Sequence, residues 1–294
     1  VYLTALAGEL RRGAVGSRVD RVHQPERDEL ILQLRSREGV KRLLLCASPN
    51  HPRVHFTAAP SENPAQPPMF CMLLRKHLVG GKLTGIVQPP AERVLALKFD
   101  CTDELGEPVE KMLVAEIMGR NSNLILCGGD GRIVDCLRRV DFEMSEKRQV
   151  LPGLFYQSPP SQDKEDPASV TPGNIAALLS HAAGPLERWI TGSFAGLSPL
   201  LGRELAYGFA GDVSVMVEDC DREKLCAYLI KELAGLTEGP FTPVLLLKDG
   251  QPKDFSCRPI GQYGGYYEQE TGESFSALLD RFYAQRDREE RTRQ

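Results

Sequence analysis

The chain has 294 residues, 41% of them hydrophobic and 26% charged, and a formal net charge of −4. That is an ordinary globular composition, long enough for two domains and a sizeable core, and no apolar run approaches the roughly 18 to 20 residues that a membrane span needs. A net negative chain lacks the broad basic surface that grips nucleic acid regardless of sequence, although it leaves room for a local basic site. The eight cysteines, at 46, 71, 101, 127, 136, 220, 226 and 257, include no CxxC pair and indicate neither a zinc site nor a disulfide framework. Cys46, Cys127 and Cys136 sit in apolar segments, where a reduced thiol behaves as a small hydrophobe, and this fits a reducing, cytoplasmic compartment.

In chain order, residues 1–12 pattern as an amphipathic helix rather than a signal peptide, because Glu9, Arg11 and Arg12 follow a short apolar run with no basic stretch before it. Alternation in 19–23 and 30–34, followed by 42–46, predicts a meander of short antiparallel strands, with 53–57 as a further one. Pro67-Pro68 opens a helix over 69–79, since Pro is tolerated in a first turn and apolar residues recur at helical spacing beyond it. Strands resume at 83–87, 93–99, 111–117, 124–127 and 133–137, with Gly128-Gly129-Asp130-Gly131 as a hairpin turn. Residues 1–157 thus read as a mostly antiparallel β domain, and 158–172, rich in Pro, Ser, Asp and Lys, as a linker. A small helical domain over 173–238 carries apolar spacing for helices at 174–182, 185–191, 198–207 and 222–233.

Strands at 243–248 and 257–263 around an Asp249-Gly250 turn predict a hairpin. Being too small to stand alone, residues 239–273 are expected to pack back on the first domain. Residues 274–294 read as a charged helix leading toward a coiled coil. With no initial Met and no stop signal at the end, a piece of a longer polypeptide is expected. The fold class is α+β.

The most informative segment is Glu116-Ile117-Met118-Gly119-Arg120-Asn121-Ser122-Asn123. It sets a carboxylate, a guanidinium and two amides around one glycine, at the connection between two apolar strands, where ligands and turns are usually found. One reading is a binding site. The other is a tight turn in which Gly119 takes φ > 0 and Asn121 and Asn123 close the loop through their amides. Arg75, Lys76 and His77 are consecutive on a helix and cannot share a face, so one is expected to support a site and the others to be solvated. Arg53 and His55 alternate on a strand and share a face, a weaker candidate pair. The stretch from Phe194 to Ala206 looks like a degenerate helix-hairpin-helix, with Ser198 before Pro199 either offering a helix N-terminus to a phosphate or simply capping a helix.

Four ordered motifs, His23-Gln24-Pro25, the run from Pro67 to Leu78, the octapeptide above, and Val150-Leu151-Pro152-Gly153-Leu154-Phe155-Tyr156, resemble the NFACT family. Its bacterial members, long labelled fibronectin-binding protein A-like, include ribosome-quality-control factors. The resemblance covers nearly the whole chain. It implies an N-terminal β domain similar to that of formamidopyrimidine-type DNA glycosylases, followed by the helix-hairpin-helix domain. It also implies a factor that binds the large (50S) ribosomal subunit carrying a stalled peptidyl-tRNA and brings in alanyl-tRNA, so that the ribosome adds untemplated alanine to the nascent chain. Members usually carry Asp-Arg where this chain has Glu92-Arg93, a pair associated with tRNA recruitment, and an Asp in a segment upstream of this chain's first residue is proposed to act with it. The resemblance implies a tRNA-facing site of Glu92, Arg93, Glu116, Arg120 and Asn123, supported by Arg75. Read without the family, Glu92-Arg93 is an exposed pair worth under about 1 kcal/mol.

Enzyme motifs find little footing: there is no Gly-x-Ser-x-Gly, P-loop or HExxH, and the five histidines are dispersed. No catalytic residue, metal or cofactor is expected, and no membrane partner. Glycosylase chemistry is not expected, since the N-terminal proline nucleophile of those enzymes is not at this chain's start. Two rival classes are a fibronectin-binding surface adhesin, which the lack of a signal peptide and the free cysteines oppose, and a DNA-binding or repair module, which lacks a basic face.

Overall fold

In the computed structural model, which describes residues 1–293, the chain divides into two compact units. The larger comprises Leu6–Pro89, Arg93–Pro160 and the helix from Ser274 onward; the smaller comprises Val1–Ala5, Pro90–Glu92 and Ser161–Glu273. The chain opens with α1 (Tyr2–Ala14). In the larger unit follow β1 (Arg18–Glu26), β2 (Glu29–Ser36), β3 (Gly39–Cys46) and β4 (Arg53–Phe56), then α2 (Met69–Leu78). After it come β5 (Lys82–Val87), β6 (Val94–Thr102), β7 (Pro108–Glu116), β8 (Asn123–Gly128) and β9 (Ile133–Cys136).

These strands make one nine-stranded antiparallel sheet in the order β4-β3-β2-β1-β5-β6-β7-β8-β9. It consists of two meanders joined where β1 meets β5, a short junction registered only at Arg18 and Lys82. β8 and the apolar runs of β2, β3 and β7 are buried on both faces, whereas β1 and β5 alternate buried with exposed positions. Leu32, Leu43, Leu45, Leu83, Leu95 and Phe99 lie inside, while the opposite face of β6 to β9 buries Val94, Val114, Ile125, Cys127, Ile133 and Cys136 beneath Val150. Burial pushes the thiols of Cys46 and Cys127 up to about 11 and that of Cys136 to about 12, and all eight cysteines are free thiols. β6 and β7 run past the apolar segments that announced them, into a polar ribbon closed by Asp103, whose Oδ1 accepts the N–H groups of Leu105 and Glu107.

The smaller unit holds α3 (Pro172–Leu179), α4 (Leu186–Ser193), α5 (Pro199–Ala210) and α6 (Arg222–Glu238). Thr171 and Asn174 form a capping box on α3, so the helix begins inside the segment read as linker. α4 and α5 make the expected helical hairpin. A Cβ on Gly202 of α5 would fall 2.5 Å from Thr191 Cγ2 and 3.0 Å from the Glu187 carbonyl of α4, so only glycine permits that approach.

Here one expectation is corrected. The Asp249-Gly250 turn, with φ of +53° and +75°, is the two-residue type that returns the chain at once. The partner of β10 (Val244–Lys248) is therefore β11 (Gln251–Ser256), not 257–263, and a third strand, β12 (Glu268–Thr271), completes a sheet in the order β11-β10-β12. Val244, Leu246 and Ile260 bury against Leu200 of α5, because the helical unit offers the apolar partner the sheet needs.

Back in the larger unit, α7 (Phe275–Arg293) docks along β4. Glu9 of α1 accepts the N–H groups of Phe275 and Ser276 at 2.7 and 2.9 Å, which caps the helix start with a carboxylate. Asp280 accepts from Thr57 Oγ1 and the Ala58 N–H, and Arg53 lies over the Tyr283 ring. The expected tail helix matches α7, with Gln294 outside the described residues.

Candidate functional site

Val94, Glu116 and Asn123 form one rung across β6, β7 and β8. Just beyond it the Ile117 N–H donates to the Arg93 carbonyl at 2.9 Å. A 3-10 turn over Gly119–Asn121 then reverses the chain, with Gly119 at φ +56° and Ser122 Oγ accepting the Met118 N–H at 2.9 Å. The octapeptide is therefore a tight turn with Gly119 at φ > 0, as one of its two readings held, but Ser122 closes it where the amides of Asn121 and Asn123 were expected to. What the turn displays is a separate matter.

Glu116 is only 1% exposed. Arg148 grips it with both terminal nitrogens, at 3.0 and 2.5 Å, and Tyr156 donates its hydroxyl to Oε2 at 2.7 Å. Burial first, then the Glu116 charge, raises the Tyr156 phenol above its ordinary pKa, so it stays protonated and donating. Arg148 also donates to the Gln157 carbonyl. Asn123 is equally enclosed: its Nδ2 donates to the Arg138 carbonyl at 2.8 Å and its Oδ1 accepts the N–H groups of Arg138 and Leu124. The Arg138 guanidinium then ties together the Ser122 and Ala47 carbonyls and Asp28.

Glu116 and Asn123 thus brace the turn from beneath and spend their polar atoms inside the protein. Sequence reasoning did not name Arg148, Tyr156 and Arg138 as partners. Tyr156 lay in a quoted motif, but nothing in the sequence pointed it at Glu116. What reaches solvent on this turn is cationic. Arg93 and Arg120 are exposed at the same end of the β6-β7-β8 strands, and among the described residues neither has a polar side-chain partner. Two free guanidiniums, Arg120 on the rigid turn and Arg93 at the adjoining start of β6, can donate to phosphates or carboxylates, bidentately where geometry allows.

The remaining candidates are placed elsewhere. Glu92 is half-buried and belongs to the smaller unit, directly after Ala91, which adopts φ +57°. Arg75 donates from Nε to the Val22 carbonyl of β1 at 2.8 Å and lines a separate groove, to which none of Arg93, Glu116, Arg120 or Asn123 contributes. Lys76 pairs with Glu104 on the surface, at 2.9 Å. Arg53 and His55 are buried beside α7. Ser198 caps α5 by accepting the Leu201 N–H at 3.2 Å. Among the described residues no cluster of His, Cys, Asp and Glu is placed to hold a metal, and no helix is long and apolar enough to cross a membrane.

The fold and the turn define an α+β protein that displays paired arginines at one end of a large antiparallel sheet. Comparison with known proteins gives this class a family. The model of the NFACT N-terminal and middle domains matches residues 1–294. The Rqc2 homolog RqcH of Bacillus subtilis is 35% identical over 294 residues, which is 98% of this chain and 49% of that protein. Among solved structures, the fibrinogen binding protein from Staphylococcus aureus superposes with a TM-score of 0.81 at 27% identity, covering 96% of this chain and 97% of that one. The N-terminal part of the fibronectin/fibrinogen-binding protein from Streptococcus suis does so at 0.79 and 28%, covering 97% and 98%. The chain belongs to the NFACT family, and it spans about half the length of the B. subtilis relative.

Proposed function

We propose that this chain is the RNA-binding N-terminal part of a ribosome-associated quality-control factor, and that Arg93 and Arg120 are its direct contacts to tRNA. The observation that carries this reading is the two unpartnered guanidiniums, Arg120 on the turn and Arg93 at the start of the neighbouring strand β6, at a strand end held rigid by the buried Glu116-Arg148-Tyr156 and Asn123-Arg138 networks. Guanidinium donors on a fixed frame suit the phosphates and 2′-hydroxyls through which RNA is commonly recognised. The 35% identity to the Rqc2 homolog RqcH supports the wider role. In that role the full protein engages the large ribosomal subunit with a stalled chain, acts in the cytoplasm, and delivers tRNA, alanyl-tRNA on the family resemblance, while the ribosome makes the peptide bond. Glu92 precedes Arg93 in the position of the family's Asp, and the α4-α5 hairpin steadies the complex.

The test is sequencing of RNA that copurifies with the full-length protein and with an Arg93→Ala/Arg120→Ala variant. Enrichment of a few tRNAs with large-subunit RNA, and loss of the tRNAs in the variant, is the expected result; equal tRNA recovery from both sinks the assignment. A second reading, an adhesin, rests on the names of the two solved relatives. Saturable binding of purified protein to immobilised fibronectin or fibrinogen, with no RNA enrichment, would favour it.

A further inference from the structure

Two motifs that the tRNA-facing turn does not use, His23-Gln24-Pro25 and the helix opened by Pro67-Pro68, converge on one groove. It has a volume of about 400 Å³ and is lined by Asp20, Arg21, Val22, His23, Arg75 and Val79. Its frame is fixed: α2 packs on β1, and the Val22 carbonyl accepts from both Arg75 Nε at 2.8 Å and Cys71 Sγ at 3.5 Å. With Nε committed, the terminal nitrogens of Arg75 keep their donors for something else. Arg21 is exposed and, among the described residues, has no polar side-chain partner. Across the sheet it stands in register with Gln33 and then Arg42, whose guanidinium is occupied by the Ala59 carbonyl and Ser61. The one carboxylate of the groove, Asp20, is taken up by Arg35 at 3.1 Å and by Gln33 at 3.4 Å.

The field here is positive. His23 has its pKa lowered by burial first and then by Arg75, Arg21 and Arg42, so at neutral pH the ring is uncharged, a flat aromatic surface beside two free cationic forks. Met72, one turn before Arg75 on α2, and Val79, the extended residue that ends the helix, are 56% and 47% exposed. A free inorganic anion would need only the arginines. Apolar and aromatic walls alongside them match a ligand that carries a flat base next to each phosphate, and the volume suits about one nucleotide.

We infer that this groove is a second nucleic-acid contact, holding one nucleotide of a single-stranded RNA segment with its phosphate between Arg21 and Arg75 and its base against His23 and Val79. The inference rests on the RNA-binding reading for the kind of macromolecule and on the groove alone for the site.

The experiment uses the full-length protein and a fluorescent single-stranded oligoribonucleotide in a salt series, with three proteins compared: wild type, Arg21→Ala/His23→Ala, and Arg93→Ala/Arg120→Ala. Arg75 is left alone because its Nε holds α2 to β1. The groove variant is expected to bind about tenfold more weakly, with the slope of log K against log salt reduced by about 0.7 for one lost single-strand phosphate. Photocrosslinking of a 4-thiouridine oligonucleotide should mark the tryptic peptide carrying His23, and the mark should vanish in the groove variant. Arg21→Lys/His23→Phe should recover most of the affinity. Unchanged binding in the groove variant, with loss in the Arg93/Arg120 variant, overturns the groove and leaves the proposed function standing. No measurable RNA binding by wild type overturns both. Displacement of the oligonucleotide from the groove by polyglutamate at equal charge assigns the groove to acidic peptides and overturns the RNA inference.

Discussion

At the scale of single residues, the charge on Glu116 is worth most to the protein where it is least visible. A carboxylate 1% exposed survives only because Arg148 and Tyr156 satisfy it, so removing one partner strands the other. Arg148→Ala is expected to cost about 3 to 5 kcal/mol in urea unfolding, and Glu116→Leu/Arg148→Met to recover most of it, because an apolar pair carries no buried charge. The same loss in both proteins would show that the network is not what holds the turn. Arg93→Ala/Arg120→Ala should change stability by no more than about 0.5 kcal/mol, since both side chains are exposed and unpartnered. RNA affinity should nevertheless fall and its salt slope flatten by about 1 to 2. The sequence marked Glu116 and Asn123 as unusual, and they are. The partners of Glu116, Arg148 and Tyr156, lie 32 and 40 residues further on, in a stretch with no periodicity, so their supporting role was not legible.

Elements were legible where apolar periodicity reports burial. Every strand of the large sheet, and each of α2 to α6, carries such a signal. β12, Glu268–Thr271, is exposed at all four positions and is held by backbone pairing to β10, so no side-chain pattern announced it. β11 was misplaced although its turn was recognised, because the apolar segment 257–263 drew the reading away from the register that a two-residue turn imposes, Lys248 opposite Gln251. α7 depends on a contact equally absent from local sequence. Glu9 supplies its N-terminal acceptor, through two backbone N–H groups and the Ser276 hydroxyl. Glu9→Ala is expected to cost about 1 to 2 kcal/mol and to raise amide exchange over 275–282 while leaving β6 to β8 protected. Unchanged exchange there would mean that the α7–β4 contacts suffice without the cap.

Over the whole molecule, the α+β class was readable from composition shifts and alternation. The pairing of β1 with β5 was not, because it joins Arg18 to Lys82 across the entire first meander and α2. Long-range closure of this kind also buries groups that no local rule would bury, and His55 is the clearest. It is 1% exposed on β4; its Nδ1 donates to the Phe56 carbonyl at 2.8 Å, which leaves Nε2 to accept from Arg53 at 3.3 Å. Burial pulls its pKa down to about 4; the Phe56 carbonyl pulls the other way, Arg53 lowers it further, and Asp280 and Glu9 partly offset that. The folded value lies below the unfolded value of about 6.5, so in the interval between them the unfolded chain binds more protons. This contribution to stability is complete above about pH 6.5, is lost progressively as pH falls toward about 4, and does not change further below that. The full loss is about 3 kcal/mol, of which about 2 kcal/mol is gone by pH 5, a range in which most carboxylates have yet to titrate. His23 and His77, whose values are also lowered, add slopes of the same sign. Comparison of wild type with His55→Gln isolates the buried group, because glutamine can donate to Phe56 and accept from Arg53 without titrating. Urea unfolding at pH 7.5 and pH 5 should show wild type losing about 2 kcal/mol more than the variant, and equal losses would mean that His55 is not the neutral, desolvated imidazole that its packing against α7 requires.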